Sequence, residues 1–155
     1  MVLVAGLVLT IVLILLARSR RAARTAWSNA AGPTLQQVVS VRDLLQDPET
    51  RATSDSRESV DSQVSRAADA LDQLVASAPD DASRFAASST ASSLRGLLFA
   101  VEAERLLHSG ERAPTADQLA DADESHRTRS QDLNTALDRL RALIGPEDIG
   151  TSSVT

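Results

Sequence analysis

The sequence contains no cysteine, no lysine and no tyrosine, and aromatic residues make up only 2% of its 155 residues. Without cysteine, the chain has no disulfides, thiolate metal ligands, iron–sulfur clusters or cysteine nucleophiles. With so few aromatic residues, a core has to be built from Leu, Val and Ala, which suits close-packed helices better than strands. The composition therefore predicts an all-α protein with one domain.

The charge is divided unevenly along the chain. All sixteen basic residues are Arg, and four of them lie in residues 1–24 without any acid. Residues 25–155 carry the other twelve Arg and all twenty-one acids. Binding to nucleic acid requires a clustered basic surface that neutralises phosphates. An acidic domain with scattered Arg lacks such a surface, which argues against nucleic acid as a partner.

A long apolar run opens the chain. From Val2 to Ala17 there are sixteen residues without a charge. A helix that is apolar on every side is either a buried core helix or a membrane span, and a chain of this length has no core that encloses it. We therefore predict that residues 1–17 are a single transmembrane anchor in the cell (inner) membrane. Sixteen residues rise about 24 Å against a hydrocarbon thickness of about 30 Å, so neighbouring Arg side chains have to snorkel.

The apolar run is followed by a predicted basic juxtamembrane stem, residues 18–32. A signal peptide has its positive charge before the apolar run and a small-residue cleavage site after it, and neither is present here. Because the charge follows the run, the positive-inside tendency predicts an outer N-terminus and a cytoplasmic C-terminal domain. Trp27 is expected to pack on that domain. The residues that set the orientation are Arg18, Arg20, Arg21 and Arg24.

Residues 33–145 are predicted to form a small antiparallel bundle of three to four helices. Pro33 is expected near the start of the first, since proline is tolerated at the first helical position. Asp47-Pro48 ends that helix because the residue before proline avoids the α region. The tail, residues 146–155, lacks periodicity and is expected to be disordered. The predicted helices are about 34–46, 56–78, 82–108 and 115–144.

Apolar spacing predicts how these helices pack. The third helix has one apolar side around Leu94 and another that carries Phe85, Phe99 and Leu106, so we expect it to sit between neighbours. A short turn makes the third and fourth helices an antiparallel hairpin, in which residue numbers that sum to roughly 224 lie opposite each other. The Ala- and Ser-rich start of the third helix then faces the Leu-rich end of the fourth.

Two histidines are the only obvious candidates for chemistry. Glu104 with His108, and Asp123 with His126, have the spacing of helical metal ligands. In the predicted register, however, the two pairs lie on the order of 15 Å apart along the axis, so one metal ion cannot use both. No cofactor is predicted.

His126 and Arg129 occupy seam positions of the fourth helix, between apolar layers. A polar residue at a seam sometimes specifies register or partner at some loss of stability. The other interpretation is that both side chains snorkel out at the seam edge. The sequence leaves both interpretations open.

These features lead to a functional hypothesis: a membrane-anchored, non-enzymatic accessory subunit or scaffold that holds a protein partner at the bilayer, alone or in a larger membrane complex. One alternative is a signalling, phosphotransfer or metal-binding bundle that uses His126 or His108. Another is a self-associating coiled-coil scaffold, which leaves a homo-oligomer open. The predicted partner surface is the apolar short helix, whose apolar residues cover more than one side and exceed what one bundle is expected to bury. Its residues are Leu35, Val38, Val41 and Leu45.

Overall fold

In the computed structural model, residues 2–47, 57–110 and 113–145 are described. In the first range the side chains are described from residue 17 onwards, and in the second range from residue 60 onwards. This part of the chain forms four helices and contains no strand, which confirms the predicted all-α bundle. The predicted tail at 146–155 lies outside the described residues. The helices are α1 (Val2–Gln46), α2 (Arg57–Ala76), α3 (Asp81–Ser109) and α4 (Ala116–Ile144).

Helix α1 is a single helix of 45 residues with Pro33 in its interior. The prediction of a stem that ends at Pro33, and of a new helix beyond it, is therefore wrong. The reason is that the buried face of α1 continues through the proline without a change of spacing. Its buried residues recur every three or four positions, and they are Trp27, Ala31, Thr34, Val38, Val41 and Leu45.

Pro33 is accommodated because it lies on the solvent side of α1. Its ring removes the N–H that would have bonded to the carbonyl of Asn29, and both residues are exposed, so water can solvate that carbonyl. On the buried side, the Thr34 hydroxyl donates a hydrogen bond to the Ala30 carbonyl at 3.0 Å. Packing of the buried face outweighs the local preference for a break.

The core has the predicted division between small and large side chains. In α2 the buried residues Val64, Ala67, Leu71 and Leu74 follow helical spacing, and Leu71 is fully enclosed. In α3 the buried residues up to Ala91 are Ser, Ala and Thr, and they face buried Leu residues in the second half of α4. Small residues on one helix let the two axes come close while Leu fills the remaining space.

The register of the α3–α4 hairpin also agrees with the prediction. The Thr90 hydroxyl lies 3.4 Å from the Ala136 carbonyl. Farther along, a Cβ added to Gly96 would lie 3.4 Å from Cδ of Arg129. Both pairs fall within about two residues of the expected positions, and α3 and α4 share the most extensive interface of the bundle.

Helices extend beyond the packed core at both ends of the bundle. Helix α1 runs antiparallel to α4, with a hydrogen bond between Ser28 and Ile144 at one end of their contact and a hydrogen bond between Gln46 and Ser130 at the other. Beyond Ser130, α3 and α4 continue as a two-helix tip, residues 101–110 and 113–129, whose side chains are exposed or half-buried. At the other end, α1 extends from the bundle toward its N-terminus, and residues 17–26 are exposed.

The membrane prediction concerns the outer part of α1. Within the part of the chain that the structure describes, no helix is both long enough and apolar enough to cross a membrane. The predicted anchor, residues 1–17, lies outside the described side chains except for Ala17.

Two substitutions test the continuity of α1. In a continuous helix, Pro33→Ala restores a backbone hydrogen bond and should raise the free energy of unfolding by about 1–3 kcal/mol. Gly32→Ala should raise it by up to about 1 kcal/mol, because nothing lies within 4 Å of the added Cβ. Urea unfolding followed by circular dichroism measures both.

A helix that began at Pro33 would give the opposite pattern. Gly32 would then be the N-cap residue, where Ala is less favourable than Gly, and Gly32→Ala would lower the stability. Pro33→Ala would have almost no effect at the first helical position. The sign of the Gly32→Ala change therefore separates the two structures.

Candidate functional site

The four predicted orientation residues are exposed on the part of α1 that leaves the bundle. Arg20 and Arg24 lie on the same face of α1 as the buried Trp27, by their spacing of four and three residues. The Arg24 guanidinium is 4.0 Å from the Asp80 carboxylate, at the start of α3. Their role in setting the membrane orientation stays a prediction.

Directly behind these residues, α1 contacts the ends of all three other helices. The indole Nε1 of Trp27 donates a hydrogen bond to the Leu74 carbonyl at 2.9 Å, within the last turn of α2. The Ser28 hydroxyl donates to the carbonyl of Ile144, the last residue of α4, at 3.1 Å. Carbonyls in the last turn of a helix have no partner within that helix, so both bonds act as caps. We call Arg24, Trp27 and Ser28 the collar.

Asp80 is the third point that the collar contacts. Its carboxylate accepts a 2.8 Å hydrogen bond from the Ser83 backbone N–H and caps the start of α3. Hydrogen bonds from the backbone and side chain of Ser83, and more weakly the charge of Arg24, lower the pKa of the Asp80 carboxyl below its ordinary value. The ionised cap also suits the positive end of the α3 dipole.

The prediction that α1 offers a partner surface is wrong. Val38, Val41 and Leu45 are at most 2% exposed, and Leu35 packs against them from the edge of the core. The apolar residues of this segment cover more than one side of α1. Because α2, α3 and α4 all pack against α1, these sides are buried within the bundle. These residues hold the bundle together and offer no surface to a partner.

The polar seam residues of α4 behave differently from each other. Arg129 is 53% exposed, lies along Gly96 and has its guanidinium 3.7 Å from the Asp132 carboxylate. His126 is half-buried, and its Nε2 is enclosed without a hydrogen-bond partner in the described part of the chain. Whether the pair specifies a partner stays a prediction.

The other histidine lies near the end of the tip. His108 is exposed, and its Nδ1 lies 2.9 Å from the backbone carbonyl of Glu104, one turn earlier. Among the residues that the structure describes, no three His, Asp or Glu side chains come together as metal ligands would.

The second apolar side of α3 is the feature that sequence reasoning misplaced. We expected it to contact a neighbouring helix, but Phe85 is 65% exposed, Phe99 76% and Leu106 60%. These include both phenylalanines of the chain. Helices α1, α2 and α4 all contact the opposite side of α3, so this face has no cover in the described part of the chain. The periodicity revealed an apolar face but did not show what covers it.

The cap at Asp80 gives a prediction with a pH dependence. Asp80→Ala should lower the free energy of unfolding by about 1 kcal/mol at pH 7 through loss of the N-cap. Because the folded-state pKa is lowered, the ionised carboxylate stabilises the fold above the unfolded-state pKa, and this contribution is lost as the pH falls through the folded-state pKa. The wild-type advantage should therefore shrink in acid, as urea titrations at a series of pH values will measure.

Asp80→Asn is the matched control, because Asn caps as well as Asp but carries no charge. The Asp80 side chain is 39% exposed, so solvent screens its attraction to Arg24 and the loss should be small. An Asn variant as unstable as the Ala variant would contradict a role for the cap bond.

Replacing His126 with an apolar residue should stabilise the fold. His126→Leu should raise the free energy of unfolding by about 1 kcal/mol, because it replaces an enclosed nitrogen that has no partner with an apolar group. His108→Leu, at an exposed position, should change it by less than about 0.5 kcal/mol. Thermal unfolding followed by circular dichroism compares the two. A less stable His126→Leu protein would show that the imidazole makes a favourable interaction in the fold.

Comparison with known proteins adds no relative on which to base a function: no protein-family model, no curated protein and no solved structure matches this chain. The functional proposals therefore depend on three features of the molecule itself. They are the length of α1, the collar and the exposed face of α3.

Proposed function

We propose that this chain is a non-enzymatic, membrane-tethered helical scaffold that holds a protein partner near the bilayer. The observation that carries the proposal is the continuity of α1. One helix of 45 residues begins in the uncharged apolar run, passes through the Arg-rich segment and ends in the bundle core at Leu45. A flexible linker would leave the bundle free to reorient, whereas a helical connection fixes its direction relative to the anchor.

The collar supports the proposal because it fixes the bundle to α1 directly behind the basic segment. In the proposed orientation, this end of the bundle faces the headgroups, and Arg18, Arg20 and Arg21 lie between the headgroups and the collar. Cationic side chains in this position interact favourably with anionic lipids. The same charges would set a cytoplasmic location for the bundle.

The tip is the part of the chain that we propose meets the partner. Helix α1 rises about 44 Å between Ala17 and Gln46, so the tip would lie still farther from the bilayer. It carries the exposed apolar side chain of Leu119 among exposed acids. Apolar contacts with a charged rim are typical of protein–protein surfaces. The exposed acids of α4 in this region are Asp117, Asp121, Asp123 and Glu124.

Two measurements on the full chain test the proposal. The first is membrane flotation after an alkaline carbonate wash. The wild-type chain should float with the vesicles, and a variant with Val8→Arg and Ile11→Arg should not, because each charge at mid-membrane costs about 2.5–3.5 kcal/mol. Protease added outside sealed cells should leave the bundle intact. A wild-type chain that the wash extracts, or a bundle that is digested from outside, would contradict the tether or its orientation.

The second measurement is photo-crosslinking in the native membrane. A crosslinking residue at Leu119 on the tip should give a discrete adduct with a protein other than this chain, and the same residue at Arg139 on the body of α4 is the control. The adduct should disappear in the anchor-disrupted variant. No adduct at position 119, or equal adducts at both positions, would contradict a partner at the tip.

A further inference from the structure

The exposed face of α3 has a regular pattern along its whole length. From Phe85 to Leu106, the residues on this face follow each other at alternating intervals of four and three, which is the spacing of a two-helix seam. We call this set the α3 seam: Phe85, Ser89, Ser92, Gly96, Phe99, Ala103 and Leu106. None of the seven is charged.

The α3 seam combines large and small residues in an ordered way. One set of positions, seven residues apart, holds Phe85, Ser92, Phe99 and Leu106; the other holds Ser89, Gly96 and Ala103. The large side chains are 60–76% exposed. Small residues between them allow a second helix to approach closely, and the strict seven-residue repeat matches a helix with the same repeat.

We infer that the α3 seam pairs with the α3 seam of a second copy of this chain, in parallel and in register. The repeat favours a second copy because two helices with the same seven-residue pattern, aligned in parallel, match along their whole length. In register, Phe85, Phe99 and Leu106 each meet the same residue of the partner copy, and the small residues form the layers between them. The pair forms a short coiled coil on the outside of two bundles.

The parallel direction follows from the position of α1, and in this respect the inference rests on the proposed membrane anchor. Arg24 lies beside Asp80 at the start of α3. Gln46 bonds to Ser130, which the hairpin register places near residue 95 of α3. Helices α1 and α3 therefore run in the same direction. Two anchors in one bilayer point the same way only if the two α3 helices are parallel.

The charges beside the seam are compatible with this arrangement. Arg95 and Glu102 flank it on one side, and each has an ion partner in its own chain: Arg95 with Asp72 at 2.7 Å, and Glu102 with Arg105 at 3.3 Å. In a parallel pair, that flank faces the opposite flank of the second copy. The α3 residues on that flank are uncharged; they are Ser93, Ala100 and Leu107.

Arg129 lies at the edge of the seam, where its side chain runs along Gly96. It is 53% exposed and its guanidinium reaches only Asp132, within the same helix. A long exposed side chain of this kind can shift outward and cover the rim of the paired helices with its methylene groups. The α3–α4 register that places Arg129 beside Gly96 leaves Phe85, Phe99 and Leu106 exposed.

Cysteine crosslinking tests the pairing directly, because the chain contains no cysteine of its own. Ser92→Cys, Leu106→Cys and Thr128→Cys are made singly in the full chain, placed in vesicles at high lipid excess and oxidised. In a parallel pair, both seam positions bring their Cα atoms within the 4.4–6.8 Å that a disulfide spans. Thr128, exposed on α4 at a similar height, is the control.

We expect disulfide-linked dimers from Ser92→Cys and Leu106→Cys at least tenfold above Thr128→Cys. Ser92 is midway between Phe85 and Phe99, so an antiparallel pair would link Ser92→Cys but not Leu106→Cys and would overturn the parallel arrangement. No excess at either seam position, or equal linking at all three, would overturn pairing through α3.

A second measurement removes the apolar contacts. In mild detergent, light scattering should give twice the chain mass for the wild type and the single chain mass for Phe85→Ser with Phe99→Ser, with unchanged helical circular dichroism because both side chains are exposed. A wild type of single mass would overturn the inference. Carbonate flotation should be the same for both proteins, so a failure of the anchor is seen separately from a failure of the pairing.

Discussion

The hydrogen bond from the Trp27 indole to the Leu74 carbonyl is the contact on which the rest of the structure depends. It joins the first helix of the bundle to the end of α2, and one residue later Ser28 does the same for α4. Both acceptors belong to helix ends whose last carbonyls need an external partner. Because Arg24 lies beside the N-cap of α3, one turn of α1 contacts an end of every other helix. The direction in which α1 leaves the bundle is thereby fixed by three contacts at one level.

The same turn explains why local rules misjudged α1. Gly32-Pro33 is a strong local signal for a helix boundary, and the Arg-rich segment before it has the polar composition of a linker. The information against a boundary is tertiary: Trp27 and Ala31 already follow the spacing of Val38 and Leu45, so one buried face extends across the proline. A proline on the solvent side of a helix loses a hydrogen bond, whereas a break at that position would separate the collar from the core. Packing of the whole face outweighs the local cost.

The hairpin was predictable where patterns on two helices constrain each other. The short turn and the complementary runs of small and large residues determine the register of α3 against α4, and the contacts of Thr90 and Gly96 agree with it. Exposure was not predictable in the same way. Periodicity identifies the apolar sides of α3, but it contains no information about how many neighbours are available to cover them. The core residues of α1 and the exposed residues of α3 were therefore exchanged: the first were expected to bind a partner and the second to be buried.

That exchange bears on how the molecule would work. The core consists mainly of Leu, Ala and Val, in which close approach of the helices replaces bulky side chains, and Trp27 is its only aromatic member in the described residues. Both phenylalanines are instead on the outside, fourteen residues apart on a face of α3 that no other described helix covers. Burying them inside would require α3 to have a further neighbour, and the chain already uses α1, α2 and α4 on the opposite side. In the proposed pair, a second copy would supply that neighbour without any change in the fold, and with the proposed anchor the collar would give both copies the same direction relative to the membrane. Tethering would in turn favour the pairing, because two anchored chains would search for each other in a plane with their seams already aligned.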